Sequence, residues 1–306
     1  VVAAGSIPSA SALASARWPA RSPAAAILLW QALGLGWGLA AVGALAALGA
    51  GPGQAGSGHA GVIRAVLALA SRAVRGTAFR PPGAGLLPEL RLVSVAAGLL
   101  LLALLCWVLM AASAAVLRAR RRQRDLLSLL AHGDPKVPGA LVVDHPAAAA
   151  YCVPGLRSRI VISAGTLELL DQAELAAVLA HERAHLRERH DLVLLPFTAL
   201  LRAFRWCAVA RRAESAVALL VEMLADDHAL RHRPARELAT ALLRVGAAGS
   251  PVPSGALAAD GDGQVAVRVA RLLRPAPGLS APALALVCGT AALLVAVPAA
   301  FLFASF

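Results

Sequence analysis

The sequence is short of charge, of acids, of aromatics and of cysteine. Only 15% of the 306 residues are charged, against about a quarter in an ordinary soluble domain. The complementary excess, 59% hydrophobic, excludes a disordered chain. It also exceeds what one small core can bury, which excludes a wholly soluble globule. Acids number 17 against 29 basic residues, for a net charge of +12, but aromatics make up 4%. With no recognition motif beside that charge, no nucleic-acid partner is expected. Cys106, Cys152, Cys207 and Cys288 form no CxxC pair, which excludes a disulfide framework or a zinc ribbon. No internal repeat is present, and Lys136 is the sole lysine. What remains is a membrane protein with a water-exposed part.

Three stretches reach the roughly 20 apolar residues that a membrane-crossing helix needs. They run from Ala24 to Ala50, from Leu92 to Leu117, and from about Ala281 to Ala304, with Pro298 expected to kink the last. Residues 1–23 read as a tail or a degenerate span, and a secretory signal is not expected because no basic region precedes the apolar part. The expected organisation is therefore a tail over 1–23, two spans with an outer loop over 24–117, a water-exposed domain over 118–275, and a final span over 276–306.

Arginines set the expected orientation. RARRRQR follows the second span at 118–124, Arg268, Arg271 and Arg274 precede the third, and Arg17 and Arg21 precede the first. Such flanks favour the cytoplasmic side and put the 118–275 domain there. The segment 61–76, GVIRAVLALASRAVRG, dissents, and reads as an amphipathic surface helix. Gly133, Pro135, Pro138 and Gly139 punctuate the start of the domain, and a linker over 250–263 closes it.

Most acids and histidines fall within that domain, and DQAELAAVLAHERAHLRERHD at 171–191 concentrates them. Asp171 and Glu174 have the spacing of a helix N-cap and its reciprocal partner. Leu175, Val178, Leu179 and Leu186 then recur at helical spacing. His181 and His185, four apart, share one helix face and can reach one metal ion. Glu182 lies one step round, near enough to contact a metal-associated water without being a ligand. This is the HExxH arrangement of two zinc ligands and a general base.

A catalytic zinc needs a third protein ligand. The metzincin pattern is excluded, because Glu188 and Asp191 stand where it requires Gly and His. VEMLADDHAL at 221–230 offers Glu222 as ligand and, four residues on, Asp226 as a carboxylate that orients a ligand imidazole. Glu214 and Asp191 are lesser candidates for the ligand, and Asp191 is the better reading as a helix-end or arginine partner.

At these residues the chain resembles the integral-membrane gluzincin peptidases, namely the HtpX-type membrane metallopeptidases and the metallopeptidase domain of BlaR/MecR-type beta-lactam sensors. HERAHLRERHD, the 222–226 segment and the lead-in AYCVPGLRSRIVISAGTLELLDQAELAAVL at 150–179 carry the likeness, which spans about 118–245. It implies one Zn2+ per chain, held by His181, His185 and Glu222, with Glu182 as base. The expected fold class is a mainly α membrane protein whose cytoplasmic α+β zincin-like domain has a small sheet beside the HExxH helix. The expected activity is peptide-bond hydrolysis on a polypeptide, either a transcriptional repressor or a misfolded membrane protein. The chain holds no large ligand-binding domain of the kind a beta-lactam sensor carries, so direct antibiotic sensing is not expected.

Arg159, Ile160, Val161, Ile162 and Ser163 form a β-branched run between Gly155 and Gly165. That reads as an edge strand able to pair with an extended substrate. No oxyanion donor is assigned; His228, Arg231 and His232 are the candidates, and His145 and His190 carry no role. The apolar run from Leu192 to Leu201 is too short to span. It reads as a helix packed on the domain or dipping into the membrane surface, because a crossing would part Glu222 from His185. Two non-peptidase readings compete with this one: an inactive scaffold that keeps the fold, and a basic membrane protein that recruits anionic lipid or nucleic acid.

Overall fold

The computed structural model describes residues 2–50, 86–133, 137–153, 158–248 and 261–304. The segment 61–76, Pro135, Gly155 and most of the 250–263 linker lie outside the described residues. Helices α1 (Val2–Ser15), α2 (Pro23–Ala50) and α3 (Leu86–Leu130) lead into a small sheet. Its strands are β1 (Ala131–Gly133), β2 (Ala140–Val143), β3 (Ala150–Val153) and β4 (Arg159–Ser163). Six helices then follow in the order α4 (Ala164–Leu169), α5 (Gln172–Glu188), α6 (His190–Ala203), α7 (Ala208–Ala229), α8 (Ala235–Ala247) and α9 (Gly261–Leu273). The last helix is α10 (Ala281–Ala304), so the chain is mainly helical with one small mixed sheet.

Two compact units share the chain, one of residues 1–15, 28–108 and 280–306, the other of 16–27 and 109–279. Among the described residues, three helical stretches are long and apolar enough to cross a membrane: Pro23–Leu48, Val93–Leu127 and Ala281–Leu302. The α1 helix has 14 residues with Pro8 inside it, short of the roughly 20 needed to cross. Within the first unit, Gly36 of α2 meets α10 so closely that a Cβ there would lie 2.4 Å from the Leu294 carbonyl oxygen. Absence of a side chain is what permits that approach.

In the second unit the strand order is β1-β2-β4-β3. β4 pairs in parallel with β2 and antiparallel with β3, so the Arg159–Ser163 strand is interior. The edge-strand expectation is thereby corrected. Ala150–Val153 takes the outer position next to β4. A run with Ile160, Val161, Ile162 and Ser163 all buried is what two-sided coverage of an interior strand demands.

Ile160 and Ile162 pack with Val142, Leu175, Val178 and Leu179 in a core between sheet and α5. On the other sheet face, Val153 and Val161 close on Leu127 at the end of α3. Each such fully buried aliphatic contributes about 1.5–3 kcal/mol. A second core joins Ala177 of α5, Ala229 of α7, Leu238 and Ala239 of α8, and Val269 and Leu272 of α9. The alanines are fully covered, which brings the helix backbones close and lets short acidic side chains reach across. Gly165 sits where a Cβ would lie 1.9 Å from the Pro146 carbonyl oxygen, so β4 can turn into α4 only with glycine there.

Candidate metal centre

Helix α5 begins with the expected capping box. Asp171 Oδ1 accepts from the Ala173 and Glu174 amides at 2.9 Å, and Glu174 Oε2 accepts from the Asp171 amide at 3.0 Å. Arg244 of α8 donates to the same Glu174 oxygen at 2.9 Å, tying the helix start to its neighbour. From that start, helical periodicity carries His181, Glu182 and Ala184 to the buried side. Helix α7 packs along α5 and buries Val217, Val221, Met223 and Ala225, which brings Glu222 and Asp226 to face the histidines.

Three groups converge. His181 Nε2 lies 3.1 Å from His185 Nε2 and 3.2 Å from Glu222 Oε2, and His185 Nε2 lies 3.5 Å from Glu222 Oε1. A tetrahedral zinc with nitrogen and oxygen ligands at about 2.0–2.1 Å has ligand-to-ligand edges of roughly 3.3 Å. The observed separations match those edges, and His181, His185 and Glu222 are the one group of this kind among the described residues. His181 turns its other nitrogen, Nδ1, to Asp226 Oδ1 at 3.0 Å, the carboxylate partner that orients a ligand imidazole.

Arg268 of α9 completes the cluster. It grips Asp226 through Nε to Oδ2 at 2.9 Å and Nη2 to Oδ1 at 2.6 Å, and its Nη1 lies 2.9 Å from Glu222 Oε2. Both Arg268 and Asp226 are buried. Sequence reasoning counted Arg268 only as a membrane-flank charge, which the structure corrects. Arg271 is likewise engaged, donating to Asp227 Oδ2 at 2.8 Å and to the Ala20 carbonyl. One signal was available: Val265, Arg268, Val269 and Leu272 follow helical spacing, so the arginine stands within an apolar stripe.

The electrostatics follow from that crowding. Burial disfavours the charged form of Glu222, but Arg268 and the imidazoles of His185 and His181 outweigh it and hold the carboxyl well below its usual range. Asp226 is also lowered, burial again being overcome by Arg268 and then His181. In the metal-free chain, burial works against a charged His181, yet Asp226 and Glu222 hold it up, to about 10. Glu182 goes the other way, because burial raises its carboxyl despite His185 and His181 nearby. Glu182, Glu222 and Asp226 together carry three negative charges when ionised, against one from Arg268. In the metal-free chain the protonated His181 adds a second positive charge, so the donor set suits a cation that displaces that proton.

The other candidates do not join His181, His185 and Glu222. Asp191 pairs with Arg120 of α3, as an arginine partner. Glu214 is absent from the ligand cluster, and its carboxyl is raised by burial. His228 Nδ1 faces Glu188 Oε1 at 3.0 Å, and Arg231 and His232 are exposed in the turn after α7. His145 is exposed and accepts from the Ala147 amide. Helix α6 is 14 residues long and packs on α7. With Glu222 3.5 Å from His185, the chain between them does not part the site.

Two histidines four apart on one helix, closed by a carboxylate from a second helix, form a group able to hold a metal ion. Residues 95–233 match the model of Peptidase family M48. M48 peptidases are zinc metallopeptidases; the match is a likeness over those residues, which are less than half of the chain. No curated protein and no solved structure matches the chain. Arg268 lies beyond the matched stretch.

Proposed function

We propose that the protein is a membrane-bound zinc endopeptidase of the gluzincin type, with His181, His185 and Glu222 as ligands and Glu182 as general base. The observation that carries the reading is the set of 3.1–3.5 Å separations among three ligand atoms within a stretch matching an M48 peptidase. When bound, zinc supplies the Lewis acidity that acidifies a water and polarises a peptide carbonyl. Glu182 accepts the proton of the attacking water and passes it to the leaving amine nitrogen. Its burial-raised carboxyl is better matched to that exchange near neutral pH than an ordinary glutamate. Asp226 holds the His181 ring through Nδ1, and Arg268 holds both Asp226 and Glu222 in register.

The substrate is an extended polypeptide. β3 is the sheet edge on this side and packs against α5, and the Cys152 thiol on it is raised by burial and then by Glu182. A segment pairing with β3 would lie along the metal helix, as in β-strand addition. The membrane helices and the arginines at 118–124 support a multi-pass protein with this domain on the cytoplasmic side. Membrane-proximal or regulatory proteins, including a repressor, are the substrates such a placement offers. The detergent-solubilised protein is expected to hold about one zinc and to cleave casein. Glu182→Gln should keep the zinc and lose the cleavage, and equal cleavage by both proteins would overturn the proposal.

A further inference from the structure

His190 has no part in the ligand set, yet it touches it. Helix α5 ends at Glu188, and Arg189 after it takes the left-handed conformation (φ 53°) that reverses the chain into α6. A non-glycine residue is uncommon there, and its effect is to fold the first side chain of α6 back onto α5. His190 is 2% exposed, and its Nδ1 lies 3.0 Å from His185 Nδ1, with the rings edge to face.

The hydrogens on this chain of rings are determined by what lies at its two ends. His185 Nε2 faces His181 and Glu222, and as a ligand it must present a lone pair there. Its one proton is then on Nδ1 and is donated to His190 Nδ1. His190 must accept on Nδ1, so its own proton is on Nε2, which is buried 3.5 Å from Glu188 Oε2 without a hydrogen bond to it. The other oxygen of that carboxylate, Oε1, lies 3.0 Å from His228 Nδ1. The carboxylate is thereby flanked by imidazoles from α6 and α7.

We propose that His190 is the positioning residue for His185, fixing its ring orientation and the tautomer that offers Nε2 to the metal. The inference rests on the zinc reading above. Each ligand histidine then has one fixed partner on its far nitrogen, Asp226 for His181 and His190 for His185. The partner of His185 is an imidazole where a carboxylate or carbonyl is usual, so it accepts one hydrogen bond without adding a negative charge.

The test measures zinc affinity of the full-length protein in detergent by competition with a chromophoric chelator. Two further readouts are the visible bands of the cobalt-substituted protein and the thermal midpoint of the metal-free form. His190→Leu should weaken zinc binding by about 10–100-fold and shift the cobalt bands. His190→Asn, whose amide oxygen can accept the same N–H, should restore most of the affinity and the parent spectrum. Equal zinc affinity and cobalt bands in wild type and His190→Leu would overturn the inference while leaving the zinc reading intact. So would a loss as large in His190→Asn as in His190→Leu, with equal falls in the metal-free midpoint, since packing alone would then explain it. Wild-type protein that binds no stoichiometric zinc would overturn both. Should His190→Leu fail to fold, His190→Met takes its place: weaker zinc binding supports the role, and unchanged binding refutes it.

Discussion

Replacing Arg268 by Met tests whether the buried charge cluster is organised by that one guanidinium. The substitution roughly keeps the volume of the stem and removes two hydrogen bonds to Asp226 and the 2.9 Å contact to Glu222. Asp226 is 1% exposed, so water cannot replace the lost donors. Removing one partner of a buried ion pair costs about 3–5 kcal/mol. For a unit of this size each kcal/mol is worth roughly 2–4 °C, so the metal-free midpoint should fall by about 10 °C. The loss should depend on pH in a defined direction. In the parent, the depressed Asp226 and Glu222 carboxyls contribute stability above the unfolded carboxylate range near pH 4, lost as pH falls through their folded values. Without Arg268, burial dominates and their folded values rise, so the penalty grows from acid toward neutral pH. Thermal unfolding in detergent with a chelator, from pH 4 to 8, measures it. Arg268→Met/Asp226→Asn should recover part of the loss at neutral pH. An equal midpoint for Arg268→Met and wild type at pH 7.5, or a penalty independent of pH, would refute the argument.

Zinc affinity should rise with pH between about 6 and 9, because metal entry must displace the proton that His181 keeps up to about 10 in the metal-free chain. Calorimetry in buffers of different ionisation enthalpy should count that released proton, and a pH-independent affinity would contradict it. By the same shift, the His181–Asp226 contact stabilises the metal-free fold fully below about pH 6.5, and the contribution is lost as pH rises through about 10. Asp171→Ala removes the acceptor of two α5 amides. It should cost about 1 kcal/mol, read as a fall of a few degrees in midpoint with zinc stoichiometry unchanged.

Several features of the site were legible because they are periodic or local. The four-residue interval of His181 and His185 puts them on one face of any helix, and Asp171 with Glu174 announces where that helix starts. Glu222 and Asp226 share a face for the same reason. What periodicity cannot express is which distant face an element meets. The β4 run is the same five residues whether it lies at the edge or inside the sheet, and only pairing with β3 makes it interior. Arg268 stands 42 residues from Asp226. An arginine ahead of an apolar span reads as a membrane flank until the packing of α9 turns it inward.

By itself, then, the sequence determined three long apolar helices, the His181–His185 helix with its cap, and the donor types on offer, since hydrophobic length, helical repeat and donor chemistry are properties of short segments. Tertiary structure alone decided that Glu222 lies 3.2–3.5 Å from both histidines. It also decided that Arg268 neutralises part of the site and that the Arg189 turn lays His190 on His185. Those are meetings between elements, and their geometry comes from how the alanine-lined helices close on one another around a shared core.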